Sequence, residues 1–98
     1  YGAAKAGLAQ LTRSAAAQLG MHGINVNAVA PGLTRTPIVD RAFTAEQMAE
    51  AMESGPLANL LGRISEPDDI AAAVLFLCQA GSRQITGPTL HVSAGAIV

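Results

Sequence analysis

A chain of 98 residues with six Lys/Arg against seven Asp/Glu, formal net charge -1, offers at most one domain's worth of sequence. Charged residues make up only 13%, too few and too balanced for the clustered cations of a nucleic-acid surface or a polybasic membrane patch. The 50% hydrophobic share excludes a disordered chain, and the single Cys excludes a disulfide framework and a Cys-based zinc site. The longest apolar run, Ile70 to Cys78, falls far short of the about twenty residues that span a membrane. No secretory signal pattern is visible. The expectation is a soluble cytoplasmic protein with no nucleic-acid, membrane or metal partner. Twenty residues are Ala and ten Gly, against three aromatics. Large side chains normally anchor a small core, so this composition suits elements pressed between other layers, and a fragment of a larger packed protein is expected.

The spacing predicts a helix from Gly2 to about Gly20. Ala4, Leu8, Leu11, Ala15 and Leu19 form one apolar stripe, and Ala6, Ala9, Ala16 and Ala17 form a second, smaller-surfaced face. A helix apolar on two sides is normally sandwiched. Gly23 suits a left-handed turn before the chain reverses. Ile24 to Ala30 alternates as a strand, which Pro31-Gly32 ends, Pro lacking a donor and Gly accepting unusual dihedrals. Thr34 to Pro37 reads as a polar loop. A helix follows from about Thr44 to Ser54, with Thr44 and Gln47 spaced as a capping box, and Gly55-Pro56 breaks it.

Ser65-Glu66-Pro67-Asp68-Asp69 is a helix start: Ser65 caps, Pro67 occupies the first turn and the carboxylates complement the dipole. This helix is expected to reach about Ala80, buried over its apolar last turns, with Gly81 stopping it. Ile85 to Gly87 and Thr89 to Val92 read as extended, the latter as a strand. Two strands joined by a long helical crossover point to a parallel α/β sheet.

Tyr1 and Lys5 lie four apart on one helix face and are therefore neighbours. A phenol ionises near pH 10, and a cation within about 4–6 Å lowers that value. Such a tyrosine can pass a proton to a forming alkoxide or take one from an alcohol. The pattern alone recurs by chance, and a surface lysine beside a helix-start aromatic is its bland alternative. The order that follows adds weight: helix, strand, then Pro31-Gly32 at the strand's carboxyl end, where open parallel sheets bind ligands.

The stretches YGAAKAGLAQLTRSAAAQL, INVNAVAPGLTRTP, GRISEPDDIAAAVLFL and ITGPTLHV, in this order and spacing, resemble the C-terminal part of the short-chain dehydrogenase/reductase family over essentially the whole chain. The resemblance is to its 3-oxoacyl-carrier-protein reductase and sugar or polyol dehydrogenase branches. It implies an α/β fold, the C-terminal segment of a doubly wound, Rossmann-type parallel sheet whose nucleotide-binding half lies upstream. It implies hydride transfer between NAD or NADP and a small-molecule carbonyl or secondary alcohol, in a parent that is a homo-oligomer, dimer or tetramer. Tyr1 would be the acid/base, and Lys5 would lower its pKa and bond the nicotinamide ribose. Pro31 and Gly32 would shape the loop against the nicotinamide, the backbone around Thr34 would meet its carboxamide, and the Thr36 hydroxyl would bond the cofactor phosphate. Residues from about 38 to 61 would form the variable substrate lid. Local turn-making is the plainer role for both threonine hydroxyls.

Four features depart from the family's pattern. Its glycine-rich phosphate loop and its carbonyl-polarising serine belong before Tyr1, and Ser14 lies about 20 Å along the helix, too far to substitute. Val92-Ser93-Ala94-Gly95 stands where many relatives carry a hydrophobic residue, an acid and two glycines, and Ser65 replaces a common glycine. Asp68 and Asp69 read as a charged first turn, Cys78 as a small hydrophobe, His91 as a packed strand residue and Arg35 as an exposed loop cation. The alternative to an enzyme segment is an inactive remnant or oligomerisation module. On either reading the 98 residues alone are expected to be inactive and prone to associate.

Overall fold

The structure, a computed structural model, describes residues 2–96. In chain order these form α1 (Gly2–Leu19), β1 (Ala28–Pro31), α2 (Pro37–Ala42), α3 (Ala45–Glu53), α4 (Pro67–Leu77) and β2 (Thr89–Val92), with short 3-10 turns at Gly20–His22 and Ala80–Ser82. The chain divides into two compact units. One comprises the chain up to Val29 with Ala73–Leu90, and the other Ala30–Ala72 with the chain from His91.

β1 and β2 pair as a two-stranded sheet. Ala28 N donates to Pro88 O at 3.2 Å and Gly32 N to Val92 O at 3.1 Å. Both strands advance four residues between these bonds, so the pairing is parallel, as the crossover implied. The same register places the even-numbered N–H groups of β1 toward β2. Pro31 is an odd position, its missing donor falls on the opposite edge, and the strand therefore includes it instead of stopping before it.

The strand begins four residues later than the alternation from Ile24 predicts, because Asn25, Val26 and Asn27 are bonded differently. Asn25 Nδ2 donates to the carbonyls of Arg83 and Ile85, at 2.8 and 3.0 Å, and Asn27 Nδ2 to that of Ile85 at 3.0 Å. Val26 N donates to Thr86 Oγ1 at 3.0 Å. Side chains take over most of the ladder here, with one backbone bond left, from Gly87 N to Val26 O at 2.8 Å. Gly23, at φ 73°, makes the expected left-handed turn, with Ile24 N reaching back to Leu19 O.

In the first unit α1 packs along Ala9, Thr12 and Ala16, and Ala6 and Ala17 of its smaller face are exposed. Thr12 and Ala16 are buried, and the Ala16 methyl lies 3.8 Å from where a Cβ on Gly87 would stand. The larger stripe stays in solvent, with Leu11 62% exposed and Leu8 55%. The last turns of α4, expected to be buried, are also exposed: no residue of α4 is buried and Phe76 is 44% accessible. That helix closes at Leu77, before Gly81, because Cys78 N is shared between the carbonyls of Val74 and Leu75 and the turn tightens. His91 is exposed on β2 rather than packed.

In the second unit α3 carries the full capping box: Gln47 N donates to Thr44 Oγ1 at 3.1 Å and Thr44 N to Gln47 Oε1 at 2.8 Å. Gly55, at φ 91°, follows its end. The N-terminus of α4 is capped at Glu66, one residue after the expected Ser65. Glu66 N donates to Asp69 Oδ2 at 2.8 Å and Asp69 N to Glu66 O at 2.9 Å, while the backbone of Ser65 bonds to Leu33 and Arg35.

Ala94 holds φ 53°, the one non-glycine at positive φ among the described residues, a conformation that costs an L-residue roughly 1–2 kcal/mol. Ala94→Gly relieves that strain, partly offset by the greater freedom of the unfolded chain. The expected result is a gain of up to about 1 kcal/mol in urea unfolding. A loss of stability would show that the Ala94 methyl makes packing contacts worth more than the strain.

Candidate functional site

Tyr1 lies outside the described residues. Lys5 sits in the first turns of α1, exposed and engaged in an interaction. The remaining expected site residues, Pro31, Gly32, Thr34 and Thr36, fall together on one stretch of the second unit, running from the end of β1 to the start of α2.

Gly32 is required for space. A Cβ there would stand 2.9 Å from both Cα and Cβ of Ser93 and 3.3 Å from its carbonyl oxygen. Its φ is not in the left-handed region, so close approach, and not the unusual dihedral expected from sequence, explains the glycine. Ser93 is itself buried.

The next residues are pinned by a single parallel bridge between Thr34 and Ser65. Arg35 N donates to Ser65 O at 2.7 Å and Ser65 N to Leu33 O at 3.1 Å. In a parallel bridge of this form the flanking peptides carry the bonds, which leaves the N–H and C=O of Thr34 directed away from Ser65. The Thr34 hydroxyl donates to the Gly32 carbonyl at 3.0 Å, so the plainer turn-making role is realised there.

Thr36 is followed by α2, a helix that the reading of this stretch as loop misses. The signal was present: Thr36 before Pro37, with Arg41 in the last turn, is a capped helix start with a cation at its end. Val39 N donates to Thr36 Oγ1 at 3.3 Å. Capping uses the hydroxyl as acceptor and leaves its hydrogen free to donate.

Arg35 is no idle loop cation. Its guanidinium meets Glu66 Oε1 at 2.9 Å and Asp40 Oδ1 at 3.4 Å, tying the loop to α2 and to the start of α4. All three side chains are about half exposed, so each pair contributes at most about 1 kcal/mol.

The same unit contains a cleft of about 460 Å³ lined by Val39, Phe43, Met48, Met52 and Ile64, with Arg35 and Arg63 among its polar residues. The sequence reading expects a lid over about 38–61 and names no cleft there. Val39 lies on α2, Phe43 just past its end, and Met48 and Met52 on α3, so no single helical period connects them. Met52 is only 3% exposed.

Among the described residues no group of three or more His, Cys, Asp and Glu could hold a metal, and no helix is long and apolar enough to cross a membrane.

Gly32→Ala forces the backbone of Ser93 or of Gly32 to move, since the clash is with main-chain as well as side-chain atoms. Overpacking of this kind costs about 1–3 kcal/mol, which thermal or urea unfolding measures. An unchanged midpoint would mean that the strand end yields freely.

Comparison with known proteins bears on what this arrangement serves. The sequence profile of the family described as enoyl-(acyl carrier protein) reductase matches residues 1–96. The chain is 41% identical over 99 aligned positions to the short-chain reductase protein NovJ of Streptomyces niveus, covering 97% of this chain and 37% of that protein. It is 40% identical to the 3-oxoacyl-[acyl-carrier-protein] reductase FabG of Vibrio harveyi over 95 positions, covering again 97% and 37%. Among solved structures, the 3-oxoacyl-[acyl-carrier protein] reductase from Brucella melitensis superposes with a TM-score of 0.82 at 35% identity, covering 100% of this chain and 35% of that one. The chain thus spans little more than a third of the length of the relatives it matches. With a parallel α/β fold and a match over nearly every residue, this chain belongs to the short-chain dehydrogenase/reductase family.

Proposed function

We propose that this chain is the C-terminal segment of a single Rossmann-type domain in an NAD(P)-dependent oxidoreductase. The parent enzyme moves a hydride between the nicotinamide and a small-molecule carbonyl or secondary alcohol. The observation that carries this reading is the family match over residues 1–96, which includes Tyr1 and Lys5 and all of the Pro31–Thr36 loop. The parent acts as a cytoplasmic dimer or tetramer.

The donors present suit a nicotinamide cofactor. On the loop after β1, Thr34 has a peptide N–H turned away from its bridge partner and Thr36 a hydroxyl hydrogen left over from capping. In this reading Lys5 bonds the ribose, Thr34 N–H meets the carboxamide, Thr36 donates to the phosphate, and Pro31-Gly32 sets the path of the loop. The cofactor supplies or accepts the hydride. Tyr1 gives its phenolic proton to the oxygen of the carbonyl being reduced, or takes the proton of an alcohol being oxidised, and the Lys5 charge favours the phenolate needed for that exchange. Residues 38–61 close over the substrate.

Tyr1→Phe in the full-length parent is expected to lower kcat by about a hundred- to ten-thousandfold with cofactor Kd nearly unchanged. Retained turnover removes the proton role. Thr36 separates two functions cleanly. Thr36→Asp preserves an acceptor for the cap but has no hydrogen to donate at neutral pH, so the cofactor KM should rise about tenfold with Tm held. Thr36→Ser should keep both. A lowered Tm with unaltered cofactor KM in Thr36→Asp would confine Thr36 to capping. The 98 residues expressed alone are expected to show no NAD(P)H-dependent carbonyl reduction, and measurable reduction would mean that this segment suffices.

A further inference from the structure

We propose that the cleft between α2, α3 and residues 62–64 holds an aliphatic chain ending in a carboxylate, with Arg63 meeting the carboxylate. In identifying that ligand as the substrate class, the inference rests on the reductase reading above, whereas the binding itself rests on the cleft alone.

The cleft, about 460 Å³, falls within the about 300–1,000 Å³ typical of small-molecule sites. Its walls are aliphatic and thioether side chains, Val39, Met48, Met52 and Ile64, with one ring, Phe43. A single ring gives no stacking pair for a flat aromatic ligand, while unbranched methionines adapt to a flexible chain. The alanines at 45 and 49 leave room between them.

Charge selects the head group. Arg35 and Asp40 both line the cleft but are paired with each other, and Arg35 also with Glu66. Arg63 makes no ion pair among the described residues. Its backbone is held on both sides by Asn59, whose Oδ1 accepts from Arg63 N at 3.2 Å and whose Nδ2 donates to Arg63 O at 2.7 Å. The same Asn59 amide lies 3.5 Å from Met52 Sδ. Asn59 thus fixes the root of the arginine beside the most buried apolar wall and leaves the guanidinium for a ligand. An uncompensated cation at the rim of an apolar cleft favours an anion over a neutral or cationic head.

Titration calorimetry on the full-length protein with decanoate, decan-1-ol and decyltrimethylammonium tests this. Decanoate is expected to bind about three- to fivefold more tightly than decan-1-ol, the size of one exposed charge contact, with the cation weakest. Added salt should shrink the margin. Arg63→Gln should abolish the margin and leave decan-1-ol affinity in place, and Ala49→Phe should weaken all aliphatic probes at least tenfold by filling the cleft. Equal affinity for the three probes, an unchanged margin in Arg63→Gln, or no binding would overturn the proposal. NAD(P)H-dependent reduction of a short neutral ketone by the wild-type protein keeps the readings apart. Reduction without the decanoate margin defeats this inference alone, and the margin without reduction defeats the reductase reading alone.

Discussion

The end of β1 can run beside the end of β2 only because position 32 has no side chain. Gly32 N reaches Val92 O at 3.1 Å, and any Cβ at that residue would occupy space already filled by Ser93. Parallel strands bring backbone to backbone at this edge, and the loop that leaves β1 takes its direction from that contact. The glycine belongs to the packing of the second unit before it belongs to any ligand.

From there the loop is held by polar bonds more than by burial. One bridge at Thr34–Ser65, the Thr34 hydroxyl on the Gly32 carbonyl, the Thr36 cap and the two-armed Arg35 fix the chain from Gly32 to Thr36. Each bond is modest and partly exposed, yet together they leave few alternative paths for so short a segment. What the loop keeps in reserve among the described residues is hydrogen-bond donors: the N–H of Thr34 and the hydroxyl hydrogen of Thr36.

α1 and α4 show a different economy. In α1 the packed side is that of Thr12 and Ala16, since Ala16 can approach Gly87 where a leucine could not, and the leucines lie in solvent. In α4 Val74, Leu75 and Phe76 are likewise exposed. Contiguous apolar surface of this kind ordinarily meets another surface, and the relatives that this chain matches are close to three times its length.

Much of the architecture was legible in the residues themselves. The 3.6-residue period of 2–19, the turn at Gly23, the capping box of Thr44 and Gln47 and the parallel crossover all follow from local chemistry, and the structure has each of them. The family was legible in the order of four short stretches, and the residues proposed from it, Pro31 to Thr36, fall on one continuous segment of the second unit. Other features required the folded chain, because they depend on residues far apart in sequence. Asn25 and Asn27 turn from ladder to side-chain bonding because segment 83–86 lies beside them. The glycine at 32 answers to Ser93, and the charge of Arg35 is spent on Glu66 thirty-one positions away. Which face of α1 is covered was decided the same way, for periodicity reveals that a helix has two apolar faces, but only the neighbour's shape selects the one that packs.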